Sequence, residues 1–290
     1  MQFFGLIPHK FLGVDIGTSA IKVVEASSWA GRRKLESYGE MPASVLYNKK
    51  FRSSKKSTLL FSNEDIARAI QAVIEEAGMK AKNISFSVPD FSTFFTNFEL
   101  PFMTKRELPQ AVRAEARKHI PLPLSEVTLD WQIIPQPLSS SPNKSIKVLL
   151  VAVPNEVMNQ YQIIADKLEL EMIALEAEVF GSIRSLVPED EKGVIALVDI
   201  GNKSTSCSIM NRGLLILSHS FDTSGGSFVD RLSKSLDIDP KEASKLLEKD
   251  GLLGKGDKKA IKVKEALDSA VNLMIDEIED IFDSFRLKEG

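Results

Sequence analysis

The feature that most constrains the fold is a motif that occurs twice. Near the start, Phe11-Leu12-Gly13-Val14-Asp15-Ile16-Gly17-Thr18-Ser19-Ala20-Ile21-Lys22-Val23-Val24-Glu25 is apolar and β-branched up to Asp15, breaks at Gly-Thr-Ser and resumes with Ile21, Val23 and Val24. That is the pattern of strand, tight turn, strand. The stretch Val194-Ile195-Ala196-Leu197-Val198-Asp199-Ile200-Gly201-Asn202-Lys203-Ser204-Thr205-Ser206-Cys207-Ser208-Ile209 repeats it, with the same Val-Asp-Ile-Gly core followed by small polar residues. A single copy says only that a strand ends, because Asp and Gly are ordinary turn residues. Two copies at related positions imply two domains that share a site.

The residue types suit a polyphosphate. Gly17 and Gly201 let the backbone approach a ligand closely, having no Cβ and tolerating positive φ. Successive N–H groups in such a turn form a concave anion site. The hydroxyls of Thr18, Ser19, Ser204 and Thr205 add donors, and Lys22 and Asn202 flank them. Asp15 and Asp199, at the strand ends, are candidate holders of Mg²⁺, which keeps most of its waters. Two such hairpins face to face would grip a nucleoside triphosphate from both sides.

Paired strand–Asp-x-Gly–strand hairpins resemble those of the actin, Hsp70 and sugar-kinase ATPase superfamily. Within it, Leu12 to Glu25 looks like the type IV pilus assembly protein PilM family, related to the cell-division protein FtsA. The stretch Glu115-Ala116-Arg117-Lys118-His119-Ile120-Pro121-Leu122-Pro123-Leu124-Ser125-Glu126-Val127-Thr128-Leu129-Asp130-Trp131-Gln132 is similar to a long and specific phrase of that family. The resemblance runs from about Phe11 to the C-terminus. It implies an α/β, actin-like (ribonuclease H-like) two-domain fold with an inserted 1C subdomain of the FtsA and PilM type. Residues 1–82 would be the first part of subdomain 1A, 83–178 the 1C-like interaction module and 179–192 the helix returning to 1A. Residues 193–290 would be the second domain. Its Ser224-Gly225-Gly226-Ser227 turn before a helix would set the N–H groups of Gly225 and Gly226 toward phosphate or ribose.

The resemblance further implies ATP with Mg²⁺ as cofactor. The implied partner is the cytoplasmic tail of a PilN-like inner-membrane protein, alongside other pilus assembly proteins. The location would be cytoplasmic, at the inner face of the inner membrane, with membrane association through the partner only. Turnover is expected to be slow or absent, since no residue stands out as a base to activate water. An FtsA-like divisome protein would need a C-terminal amphipathic membrane helix. A sugar-kinase-like or Hsp70-like enzyme would need an acidic base beside its substrate. Neither feature is evident. The chain also departs from the family. It stops at Gly290, before the family's adenosine-cradling Gly-Gly motif, so the second domain is expected to be incomplete. A Glu and a Lys that the family sets against ribose and adenine fall at Ser244 and Leu247.

Composition agrees with a soluble two-domain protein: 290 residues, 43% hydrophobic and 27% charged. A net charge of −3 gives no basic face for nucleic acid. The single cysteine, Cys207, excludes a disulfide framework and reads as an inert core residue. No apolar run reaches the roughly 18 residues of a spanning helix. The start, Met1 to Pro8, is too short for a signal peptide, and its Phe3, Phe4, Leu6 and Ile7 read as a packed or frayed terminus.

Along the chain, a third strand is expected near Leu35–Met41, and Tyr47–Ser57 reads as a basic, solvated loop. Ser62 with Asp65 and Thr104 with Glu107 form capping boxes ahead of two helices. Pro109 should cost the second of these a hydrogen bond and bend it. Strands are expected at Ile84–Val88, Thr93–Leu100, Thr128–Ile134, Ile146–Val153 and Met172–Leu175, with a Pro/Ser loop at Pro135–Asn143. The prolines in Ile120-Pro121-Leu122-Pro123-Leu124 should set the wall of a peptide groove beside the inserted module. The C-terminal part reads as three helices, Pro240–Lys249, Lys258–Ala270 and Val271–Leu287. The three histidines are scattered, and His119 reads as structural.

Overall fold

The computed structural model describes residues 9–47, 61–134, 145–253 and 258–289. The apolar start, the basic loop from residue 48 on and the Pro/Ser loop lie outside the described residues. The chain divides into two units, Met1–Pro188 and Glu189–Gly290.

The first unit is built on the first copy of the motif. β1 (His9–Ile16) and β2 (Ala20–Trp29) pair antiparallel, with Asp15 opposite Lys22. β3 (Arg32–Pro42) extends the meander and is longer than the sequence suggests. The short α1 (Ala43–Tyr47) follows. Next comes α2 (Asn63–Glu76), capped by Ser62, whose hydroxyl accepts from the Asp65 N–H at 3.2 Å. β4 (Asn83–Val88) then lies parallel to β1 on its other side.

An inserted module leaves the sheet here. It comprises β5 (Phe94–Leu100), α3 (Leu108–Ala116), β6 (Val127–Ile133) and β7 (Ile146–Pro154), with β7 between β5 and β6. α3 packs Leu108, Val112 and Ala116 on Phe98, Val148 and Leu150. Pro109 falls in the first turn of α3, where no intrahelical bond is lost, so the expected bend has no cause. The N–H and the hydroxyl of Thr104 both donate to the Glu107 carboxylate at 2.8 Å, but α3 begins only after Glu107, which makes no side-chain cap bond, so the expected capping box does not cap this helix. His119 stacks on Phe98 with ring centroids 5.3 Å apart.

The chain returns through α4 (Asn155–Lys167), β8 (Glu171–Ala177) and α5 (Glu178–Leu186). β8 is parallel to β4, so the sheet order is β3-β2-β1-β4-β8. The inserted module is therefore smaller than the span 83–178, since β4 and β8 pair into the first sheet and α4 packs on it. One sheet face is sealed by helices. Leu12, Val14 and Ile16 of β1 and Ile21 and Val23 of β2 are no more than 5% exposed. They share a core with Ile66 and Ile70 of α2 and with Val157, Tyr161 and Ile164 of α4. α5 has no cap of its own. Buried Asp90, between β4 and β5, supplies one by accepting from the Val179 N–H at 3.3 Å.

The second unit starts from the second copy. β9 (Val194–Ile200), β10 (Thr205–Asn211) and β11 (Leu214–Phe221) form an antiparallel sheet with β10 in the middle. α6 (Gly225–Leu236), α7 (Pro240–Lys249) and α8 (Lys258–Glu289) follow. α8 is one 32-residue helix where the sequence suggested two. Nothing breaks it at Ala270–Val271, and its buried residues Ala260, Val263, Leu267, Ala270, Met274 and Ile281 keep one stripe at helical spacing. Its first half packs with α6 and α7, and its second half covers Cys207, Ile209 and Phe221. Cys207 is fully buried, and burial pushes its thiol pKa up, as expected of an inert core residue.

One buried charge braces the first sheet. Glu25, at the end of the motif, is 3% exposed. Its carboxylate accepts from the N–H groups of Lys80 and Ala81 at 2.7 and 2.8 Å and from the Lys10 ammonium at 3.0 Å. Burial alone would raise its pKa, but the Lys80 and Ala81 N–H groups and Lys10 outweigh it and hold the carboxyl below its ordinary 4.5. A depressed pKa means the contribution is present above the unfolded value and is lost as pH falls through the folded one. Glu25→Gln is expected to lower stability by about 2 kcal/mol at neutral pH. The gap from the native chain should narrow below pH 4.5, as followed by urea denaturation across pH.

Candidate functional site

The two motif turns close in the same way. The Gly17 N–H donates to the Ala20 carbonyl at 3.1 Å, and the Gly201 N–H to the Ser204 carbonyl at 3.0 Å. A Cβ on either glycine would meet that carbonyl oxygen within 3.0 Å, at 2.9 and 2.8 Å. Each turn thus needs glycine, and each sets an Asp two residues before it at the end of a strand.

In the first unit, Asp15 is about one-third exposed. It accepts from the Lys22 ammonium at 3.2 Å and from the Ser87 hydroxyl at 3.4 Å. Ser87 sits opposite Asp15 on β4 and joins the site through the parallel pairing of β1 and β4. The Ser19 carbonyl accepts from the Ala43 N–H at 2.8 Å, which ties the turn to α1. The side chains of Thr18 and Ser19 show no hydrogen bond among the described residues.

The second turn is held from behind by α6. The N–H groups of Gly225 and Gly226 donate to the carbonyls of Gly201 and Asn202 at 2.9 and 3.0 Å, and the Ser224 hydroxyl donates to Asn202 at 3.0 Å. The hydroxyl of buried Thr205 donates to the Thr223 carbonyl at 2.6 Å. These bonds correct three expectations. Gly225, Gly226 and Thr205 spend their donors on the protein, so here they support the turn and do not face phosphate. Asn202 and Ser204 remain at the surface of the turn, and Asp199 is exposed. The position that Lys22 holds opposite Asp15 is taken by Ser206 opposite Asp199. The two carboxylates lie in separate units, each at the end of its own strand.

A groove of about 890 Å³ lies within the first unit, between the sheet face opposite α2 and α4 and the inserted module. Phe11 and Val24 line it from the sheet, and Thr128, Asp130, Val151 and Val153 from β6 and β7. Phe180 and Arg184 of α5 line it as well, and Asp15 and Lys22 belong to the same lining. The Arg184 guanidinium donates to both oxygens of Glu176. Phe95 of the module meets Phe180 edge-on, with centroids 6.1 Å apart. The Ile120–Leu124 stretch does not form this wall. Ile120 is buried in the module, and Leu122 and Leu124 pack on the module's own core.

Sequence reasoning missed Ser87, Glu176, Glu178 and Arg184. The signal for them was topological, since parallel strands gather their C-terminal ends, and ligands in α/β sheets bind there. Among the described residues no three His, Cys, Asp or Glu side chains gather as a metal cluster, and no helix is long and apolar enough to cross a membrane.

Comparison with solved structures places this architecture. The PilM-PilN type IV pilus biogenesis complex matches with a TM-score of 0.77 at 21% identity, over 95% of this chain and 77% of that one. The ethanolamine utilization protein EutJ from Carboxydothermus hydrogenoformans matches at TM-score 0.52 and 15% identity, over 94% of this chain and 72% of that one. MreB5 of Spiroplasma citri bound to ADP matches at 0.53 and 12%, over 95% and 79%. The fold is that of the actin-like ATPases. The profile of the family described as type IV pilus assembly protein PilM matches residues 13–262, and the chain belongs to that family.

The α6 junction makes a direct prediction. A Cβ on Gly226 would lie 2.3 Å from the Asn202 carbonyl oxygen, backbone that cannot yield without moving the turn. A Cβ on Gly225 would lie 3.3 Å from the Gly201 oxygen. Gly226→Ala is expected to cost roughly 3 kcal/mol, and Gly225→Ala much less. Thermal melts of the two variants check the difference.

Proposed function

We propose that this chain is a nucleotide-binding, actin-like scaffold of a type IV pilus assembly machinery, and that its groove receives the tail of a PilN-like inner-membrane protein. The observation that carries the nucleotide half is the identical closure of the two turns, each with an Asp at the same offset. In this reading Thr18, Ser19 and Lys22 from one hairpin and Asn202 and Ser204 from the other hold the phosphates of ATP. Gly17 and Gly201 shape the turns. Asp15 and Asp199 hold Mg²⁺ through its water shell. Mg²⁺ fits such a donor set, since it takes few protein carboxylates and keeps several waters. MreB5, which shares the fold, is known bound to ADP.

The peptide half rests on the groove and on the solved PilM-PilN complex. β6 is an edge strand beside the groove, so an extended peptide can add to it by main-chain hydrogen bonds. Phe11, Val24, Val151 and Val153 offer apolar seats and Asp130 a negative rim. The scaffold would then work in the cytoplasm at the inner face of the inner membrane, held there by its partner and meeting other pilus assembly proteins. ATP turnover is at most slow, and nucleic acid plays no part.

Titration calorimetry tests both halves. Asp15→Asn and Asp199→Asn should each weaken Mg²⁺–ATP binding at least tenfold, about 1.4 kcal/mol. A native chain that binds no nucleotide overturns the first half. A synthetic PilN-like N-terminal tail should bind the native chain, and Val151→Arg should weaken it at least about tenfold while leaving ATP binding intact. Unchanged peptide affinity in folded Val151→Arg overturns the groove assignment.

A further inference from the structure

Six charged side chains line the groove of the first unit: Asp15, Asp130, Glu176 and Glu178 against Lys22 and Arg184. Both cations are engaged within that lining. The Lys22 ammonium donates to Asp15 at 3.2 Å, and the Arg184 guanidinium donates to both oxygens of Glu176. Asp130 has no such counterpart. One of its oxygens accepts from the Trp131 N–H at 2.8 Å, and no ion pair reaches it among the described residues. Four carboxylates against two cations give the lining a net charge of −2.

Asp130 also stands where a peptide strand would be read. β6 pairs with β7 on one side, and its other edge is open among the described strands. Along β6, Thr128 and Asp130 turn to the groove, opposite Val153 and Val151 of β7, which line it too. Side chains alternate along a strand, so a peptide added to this edge sends every second residue into the groove. The residue set opposite Asp130 has its Cβ about 5 Å away, within reach of a lysine or arginine side chain. The residues two positions away face the apolar part of the lining, Val151 and Val153 on one wall and Phe11 and Val24 on the other. A carboxylate covered by such a peptide loses its water, which is costly unless a cation meets it. Cytoplasmic segments of membrane proteins carry an excess of lysine and arginine beside their spans, so they can supply that cation.

We propose that Asp130 is a specificity-determining residue of the groove: it selects an extended tail that carries a lysine or arginine opposite it, flanked two positions away by apolar residues, and it rejects a tail with a neutral or acidic residue there. This inference rests on the peptide half of the function proposed above and adds the charge pattern that the partner must carry.

The test uses the synthetic PilN-like tail in two forms, its own sequence and one with each lysine and arginine replaced by glutamine. Both are titrated against the 290-residue chain and its Asp130→Asn and Asp130→Lys variants. The native chain should bind the glutamine form about tenfold more weakly, and Asp130→Asn should weaken the tail's own form about fivefold. Both gaps should narrow between about 0.1 M and about 1 M salt, as the screening length falls from about 10 Å to about 3 Å. A tail with glutamate in place of its basic residues should bind Asp130→Lys more tightly than it binds the native chain. Equal binding of the two forms by the native chain overturns the proposal, and that readout needs no variant to fold. Unchanged affinity in folded Asp130→Asn, or a tail without lysine or arginine that binds the groove, overturns it too. In each of these cases a weakened Val151→Arg leaves the groove reading standing. If the native chain binds neither form, or Val151→Arg binds the tail as the native chain does, the groove reading and this inference fall together.

Discussion

What the first unit presents to a ligand depends on the alternation of one strand. β1 sinks Leu12, Val14 and Ile16 beneath α2 and α4, so Phe11, Gly13 and Asp15 have to face the other way. A one-residue slip would exchange the two sets, burying a carboxylate and exposing three large apolar side chains. The register is pinned on both sides, by the antiparallel ladder to β2 and the parallel one to β4. That same pair of ladders brings Lys22 and Ser87 to Asp15. The sheet core and the candidate site are therefore set by a single constraint and cannot be altered separately.

The two copies of the motif share a backbone and differ in their supports. The first is tied to α1 through Ser19 and carries a cation, Lys22, against its Asp. The second is bonded to the start of α6 through Gly201, Asn202 and Thr205, and Ser206 stands where the lysine would be. The internal repeat thus keeps the shape of a turn while the groups around it differ. One half brings positive charge and open hydroxyls, and the other brings a rigidly backed loop with an exposed carboxylate.

Much of this was legible in the chain because it is local. The hairpins, the Ser62 cap and the Pro240–Lys249 helix follow from residues within a few positions of one another. What escaped is what the chain joins across distance. Asn83–Val88 and Glu171–Ala177 read as strands, but only their pairing shows that they belong to the first sheet and not to the module between them. Gly225 and Gly226 look like anion donors until the carbonyls of a distant turn are seen to use them. Leu122 reads as a groove residue because prolines flank it, yet it is drawn into the module's own core. Glu176 and Glu178 carry no motif. A parallel strand that ends beside β4, which in turn ends beside β1, brings them to the lining of the groove.

The unbroken α8 has a mechanical meaning. Thirty-two residues of helix span about 48 Å. One half of this rod is bedded among α6 and α7 and the other on the strands that carry Cys207 and Phe221. α6 begins at the second turn, with its first N–H groups bonded to it. A displacement of that turn would tilt α6, and a rod with no Gly or Pro along its buried stripe has no kink point at which to take up the tilt. The second unit would act as a lever, with a small movement at the loop emerging as a larger one at the rod's far end.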